Sequence, residues 1–178
     1  MDVAVVFADV RGSTGLAEQL GPAAFAALMN RFYQVANREF TGRGGHIDRL
    51  IGDEVMSFFI PLVGPNYRAA AIEGAVATLR SLQDTNGKAL LPVGIGVHAG
   101  LAFAGKVGSE SFHDYTVLGD TVNVAARLRS EAKAGEIVLS EEIFKSVASF
   151  YPEAEARVLK LKGREQPMPV RILRPAAA

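Results

Sequence analysis

Residues 2 to 9, DVAVVFAD, form a short apolar run rich in β-branched and aromatic side chains, the pattern of a strand buried on both faces. The run stops at Asp9. Gly12, Ser13 and Thr14 follow with turn and N-cap chemistry ahead of GLAEQL, and Pro22 stands at the first-turn position of a second predicted helix. In that helix Phe25, Leu28, Met29, Phe32 and Val35 recur at three- and four-residue spacing, one apolar stripe for a core or an association surface, and TGRGG ends it. HIDRLIGDEVMSFFI then reads as two strands folded about Gly52 and Asp53, a G-D turn of the kind that closes tight hairpins, with Met56, Phe58 and Phe59 as packing residues.

Residues 66 to 83 have strong helical propensity, with Asn66 at the cap position. PVGIGVHAGLAFAGKV predicts paired strands over 92 to 107, with glycines where backbones approach closely. GDTVNVAARLRSEA reads as a helix stopped near Gly135, EIVLS as a strand, EEIFKSVASF as a helix, and ARVLKLKG with MPVRILR as a closing strand pair. This order predicts an α+β fold: a ferredoxin-like βααββαβ core whose mainly antiparallel sheet is covered by helices, plus a C-terminal α/β extension. Without repeats or a linker, residues 1 to 178 read as one domain.

Composition narrows what such a domain can do. The chain is 49% hydrophobic, enough for one substantial core. Its 19 basic and 19 acidic residues cancel, which excludes a basic nucleic-acid footprint and requires any anionic ligand to be bound locally. There is no cysteine, so neither disulfides nor thiolate metal sites enter, in keeping with a reducing compartment. No apolar run approaches the roughly 20 residues that span a bilayer, and the N-terminus lacks a signal-peptide pattern. The expectation is a cytoplasmic domain with no direct membrane insertion.

Asp9 ends the first strand and Asp53 lies in the hairpin turn, so pairing of these strands would bring both carboxylates to one edge of the sheet. Two hard oxygen donors on rigid backbone suit Mg²⁺, which takes one or two protein carboxylates and completes its octahedron with phosphate and water. The amides of residues 11 to 14 lie at a helix N-terminus, where free N–H groups and the positive dipole end favour phosphate. Together these describe a metal–polyphosphate site. Taken singly, Asp9 reads equally as a helix cap and Asp53 as a turn residue. His98, in an apolar strand with no second histidine near it, reads as a packed residue.

FADVRGST, RLIGDEVM and DYTVLGDTVNVAARL, in this order, resemble the class III nucleotidyl cyclase catalytic domain, and the similarity extends over nearly the whole chain. The resemblance implies a head-to-tail homodimer with two composite sites, each converting a nucleoside triphosphate to a 3′,5′-cyclic monophosphate and pyrophosphate. It identifies Asp9 and Asp53 as ligands of two Mg²⁺ or Mn²⁺ ions per site, with the Val10 backbone as a further oxygen ligand. One ion would polarise the ribose 3′-hydroxyl and the other hold the β- and γ-phosphates. From the partner chain, Asn123 would orient the ribose, Arg127 would meet charge on the α-phosphate, and Lys162 would bind phosphate, with Lys160 one strand repeat away as the rival. Without the motif, Asn123 and Arg127 read as solvated helix residues and Lys162 as a turn lysine.

The base-reading positions depart from the family pattern. Four residues before Asp53, where Lys is typical of adenylyl and Glu of guanylyl cyclases, stands Arg49; seven before Asn123, where Asp is common, stands Thr116. Arg49 can only donate, which suits N1 of adenine, and the Thr116 hydroxyl can accept from the 6-amino group. Guanine could still be met through O6. ATP is the expected substrate, with a guanylyl or low-specificity cyclase as the alternative. From other classes come a weakly active cyclase-homology module that regulates or dimerises, and a diguanylate cyclase suggested by IGDEV alone, which would not need NVAAR.

Overall fold

The computed structural model describes residues 1–111 and 113–176. A first strand, β1 (Asp2–Val10), carries Ala4, Val6, Ala8 and Val10 into one apolar cluster and Val3, Val5 and Phe7 into another. It is therefore buried on both faces, as its unbroken apolar run requires. Helices α1 (Ser13–Leu20) and α2 (Pro22–Thr41) follow, with Pro22 at the start of α2 and Met29, Phe32 and Val35 of its stripe buried against the first cluster.

The hairpin β2 (His46–Ile51) and β3 (Glu54–Phe59) turns at Gly52, whose φ of 59° lies in the region that glycine enters at no steric cost. Helix α3 (Tyr67–Ser81) joins α2 on the same face; Asn66 precedes it without a side-chain cap bond. Strand β4 (Val93–Leu101) then returns antiparallel beside β1.

The predicted pairing over 92 to 107 is corrected here. β4 has β1 on one side and β7 on the other, so both its edges are taken, and β5 (Phe103–Gly108) leaves the sheet to pair with β6 (His113–Leu118) as a separate two-stranded ribbon. Helix α4 (Asp120–Glu131) crosses the second face of the sheet, and β7 (Ile137–Ser140) runs parallel to β4. The helix expected over EEIFKSVASF is shorter than its sequence suggests: α5 (Glu141–Phe144) stops where the Ser146 hydroxyl bonds back to the Ile143 carbonyl, and only a 3₁₀ turn (Ala148–Phe150) follows. β8 (Glu155–Leu159) and β9 (Met168–Leu173) complete a sheet ordered β2-β3-β1-β4-β7-β9-β8, antiparallel at every junction but β4–β7. The βααββαβ core and C-terminal extension are thus as the pattern predicted. No described helix is long and apolar enough to cross a membrane.

Candidate active site

The two aspartates meet at one end of the sheet. Asp9 is 7% exposed at the end of β1, and the Val10 amide donates to the Asp53 carbonyl at 3.0 Å, which pins the β2–β3 turn against that end. Ser13 does not cap α1. Its hydroxyl donates to Asp53 Oδ2 at 2.6 Å, and the N-cap position is held by Gly12 in the left-handed region. The Arg11 amide, expected to be free for phosphate, instead donates to the Pro92 carbonyl at 2.6 Å. Those of Gly12, Ser13 and Thr14 have no acceptor among the described residues.

The donor set fits a hard divalent cation. Asp9 Oδ1 is buried without a hydrogen-bond partner, and Asp53 and Asp9 are held by neighbouring backbone. No group of three or more acidic or histidine side chains converges among the described residues. Two carboxylates suit an ion such as Mg²⁺, which takes one or two from protein and its remaining ligands from phosphate and water.

Three charged residues at this end carried no signal in the motifs. Register pairs Asp9 with Glu54 across β1 and β3, a relation contained in the hairpin pattern once its pairing with β1 is assumed. Arg129 of α4 bridges them, Nη1 to Asp9 Oδ2 at 2.5 Å and Nη2 to Glu54 Oε2 at 3.1 Å. Arg11 Nε stands 3.2 Å from Asp9 Oδ1, and its Nη2 donates to the Arg129 carbonyl. Burial pushes the Glu54 carboxyl upward, opposed by the Arg129 charge and reinforced by Asp9 and Asp53. Tyr33 donates its hydroxyl to the Gly52 carbonyl and steadies the turn from α2.

Arg129 gets this close because β4 offers glycine. A Cβ on Gly96 would stand 2.6 Å from the Ala125 carbonyl and overlap the Arg129 backbone nitrogen, so only glycine lets α4 lie directly on the strand. With Thr121, Val124, Ala125 and Leu128 buried, α4 presents Asn123 to solvent. Arg127 is partly buried against the loop after β8: a Cβ on Gly163 would be 3.3 Å from its Nη2. Side chains two apart on a helix diverge by about 200°, so Arg127 and Arg129 serve different sides.

Lys162 lies in that same loop. β8 ends at Leu159, so the strand-repeat argument linking Lys160 to Lys162 fails; both lysines are exposed and flank the buried Leu161. An ion pair of Arg164 with Asp120, 3.0 Å, ties the loop to the start of α4.

Arg49 and Thr116 come together as well. With Asp48, Ile51 and Asp114 they line a cleft of about 250 Å³ between β2 and the ribbon. A register shift between Ile47 and Arg49 marks a bulge at Asp48, and bulges re-aim side chains. Asp48 Oδ2 accepts from Arg49 Nε at 2.7 Å, while Asp48 Oδ1 and Thr116 Oγ1 are buried without partners. Asp48 carried no signal in the sequence, since the bulge that brings it to the cleft is invisible there. His98 is a packed residue as expected, its Nδ1 2.7 Å from Ser140 Oγ.

The candidate residues thus lie in three places in one chain: Asp9, Val10, Gly12, Ser13, Thr14 and Asp53 at one end of the sheet, Arg49 and Thr116 in the cleft beside the ribbon, and Arg127 beside the Lys162 loop on the helix that carries Asn123.

The family model for the adenylate and guanylate cyclase catalytic domain matches residues 1–173. An adenylate cyclase of Anabaena cylindrica is 30% identical over 177 residues, covering 91% of this chain and 34% of the relative. The crystal structure of the adenylyl cyclase CyaB from P. aeruginosa superposes with a TM-score of 0.81 at 28% identity, over 97% of this chain and 93% of that one. The guanylyl cyclase Cya2 gives a TM-score of 0.85 at 24% identity, over 97% and 91%, a likeness of fold. The chain spans about a third of the length of the curated relatives it matches.

Proposed function

Since the chain belongs to the adenylate and guanylate cyclase catalytic domain family, we propose that it is an adenylate cyclase whose two sites are each completed by a second copy of the chain. The ribose 3′-oxygen would attack the α-phosphorus, the bond from that phosphorus to the bridging β-oxygen would break, pyrophosphate would leave, and the 3′-hydroxyl proton would pass to solvent. Mg²⁺ or Mn²⁺ supplies Lewis-acid polarisation of the nucleophile and charge neutralisation on the phosphates.

In this reading Asp9, Asp53 and the Val10 backbone hold the metals, and the free amides of Gly12, Ser13 and Thr14 receive phosphate oxygens. From the other copy, Asn123 orients the ribose, Arg127 meets the negative charge that develops at the α-phosphate, and Lys162 binds phosphate. A preorganised donor of this kind is worth on the order of 2.7 to 4 kcal/mol in the transition state. Arg49 donates to N1 of adenine and Thr116 accepts from its 6-amino group.

One observation carries the composite-site reading: Arg127 lies against the 161–163 loop while Arg129, two residues on, turns to Asp9. In this reading the aspartates and the Arg127 group of one chain serve different sites. An exposed apolar surface offers the means of association, with Leu101 78%, Phe103 55% and Tyr115 66% exposed on β4 and the ribbon.

The unpartnered Asp48 Oδ1 supports a second reading. A carboxylate in the base cleft can accept from guanine N1–H and its 2-amino group, so the cleft offers both purines a donor beside an acceptor.

The test is a product assay with ATP or GTP and Mg²⁺ or Mn²⁺ at several protein concentrations. Cyclic AMP formed at a specific activity that rises with protein concentration is the expected result. A folded, dimeric chain that yields no cyclic product from either nucleotide would overturn it in favour of the regulatory module.

A further inference from the structure

The carboxylate best placed to take a metal ion already has a cation on it. Arg129 makes a charge-assisted bond of 2.5 Å to Asp9 Oδ2, within a nearly closed setting, and its other arm reaches Glu54 Oε2 at 3.1 Å. Glu54 has no other ion-pair partner among the described residues. We propose that Arg129 is a resident counter-cation that competes with the divalent metal for Asp9, and that metal loading requires its guanidinium to withdraw from Asp9 onto Glu54. The inference rests on the reading of Asp9 as a metal ligand and adds a control on that site.

The argument is electrostatic and geometric. Without a metal, Asp9 and Glu54 are half-buried or buried carboxylates on adjacent strands, directly opposite in register, where like charges repel. The Arg129 guanidinium bridges both, beside Arg11 as a second cation on Asp9, and leaving Glu54 uncompensated would cost the fold heavily. A divalent ion at Asp9 changes that balance. The metal competes with the guanidinium for Asp9 Oδ2 and repels it, adding two positive charges to a carboxylate that already carries Arg11 on its other oxygen. Glu54 is then the seat to which Arg129 can move without losing an ion pair, because it is already in contact with it.

Arg11 is not displaced in the same way. Its Nη2 is bonded to the Arg129 backbone carbonyl, which stays with the helix whatever the Arg129 side chain does. A side chain that touches both carboxylates at once can pair with either, and metal at Asp9 biases that choice. Because the same helix carries Asn123 and Arg127, Arg129 also physically connects the metal end of one site with the group that completes the other.

The test is direct metal binding without nucleotide. Mn²⁺ is titrated into the full chain and free ion is read by electron paramagnetic resonance, for the wild type, Arg129→Gln, Arg129→Lys and Asp9→Asn. Arg129→Gln should bind Mn²⁺ with a Kd about tenfold lower than wild type, ~1.4 kcal/mol. Arg129→Lys, which keeps one charge and loses the two-armed contact, should fall between. In chelator Arg129→Gln should melt below wild type and recover more on adding Mn²⁺, since the ion restores the missing countercharge. A folded Arg129→Gln or Arg129→Lys chain that binds Mn²⁺ no more tightly than wild type, while Asp9→Asn loses binding, would overturn the competition and leave the metal site standing. Wild type without Mn²⁺ binding, or Asp9→Asn binding as wild type, would remove the metal reading of Asp9 and this inference with it.

Discussion

Asp48 and Arg49, adjacent on β2, are joined by a 2.7 Å bond from Arg49 Nε to Asp48 Oδ2, and both line the cleft that contains Thr116. If the cleft holds the base, as proposed, Arg49 has only its two terminal nitrogens left to offer it, next to a carboxylate oxygen that still lacks a donor. A pocket with donor and acceptor side by side discriminates poorly between purines, because each purine edge carries both kinds of group.

Removing the acceptor should sharpen the choice. In Asp48→Ala the ratio of kcat/KM for ATP over GTP is expected to rise about tenfold, the scale of one lost hydrogen bond to a charged group. Steady-state kinetics with both nucleotides measure it, and an unchanged ratio would mean that Asp48 faces no base. Arg49→Lys should also shift preference toward ATP, because a lysine presents a compact point charge where the planar fork now sits.

His98 gives a pH dependence with a definite sign. Burial and the nearby Arg164 charge pull its pKa down to about 4, below the unfolded value of about 6.5. Between these values the unfolded chain holds more protons, so the His98 contribution is complete above pH 6.5 and is lost as pH falls toward 4. From neutral pH to about pH 5 this amounts to ~2 kcal/mol. Urea unfolding at the two pH values should show that loss in wild type and less than half of it in His98→Gln.

Gly96→Ala probes the seat of α4. The added methyl has no room against the Ala125 carbonyl and the Arg129 backbone, so the helix must lift. Overpacking of this kind costs about 1 to 3 kcal/mol. A lower Tm is expected, together with loss of cyclase activity larger than the stability change explains, since Asn123, Arg127 and Arg129 all ride on that helix. Wild-type activity in a destabilised Gly96→Ala chain would show that α4 need not sit closely.

What the sequence made legible was local. β1, the β2–β3 hairpin and the Pro22 helix follow from an unbroken apolar run, turn chemistry and helical spacing, and the aspartates follow from the ends of those elements. The ribbon did not, because β4 and β5 are continuous in apolar character and only the occupied edges of β4 send β5 elsewhere. Arg129 was hidden for a similar reason. Which side of α4 faces β1 is decided by a glycine in β4, far away in sequence, and no helical pattern in DTVNVAARLRSE distinguishes Arg127 from Arg129. Asp48 was missed because a bulge changes which side chains share a face, and bulges leave no trace in alternation.

The composite site is tested most directly by mixing two inactive chains. Asp9→Asn removes the metal side and Arg127→Ala the transition-state side, and each alone should lose about 10²-fold or more in kcat. Random pairing makes half of the dimers mixed, each with one intact site, so an equimolar mixture should recover about a quarter of wild-type activity. Mixtures that stay inactive although heterodimers are shown to form would contradict an active site shared between two copies of the chain.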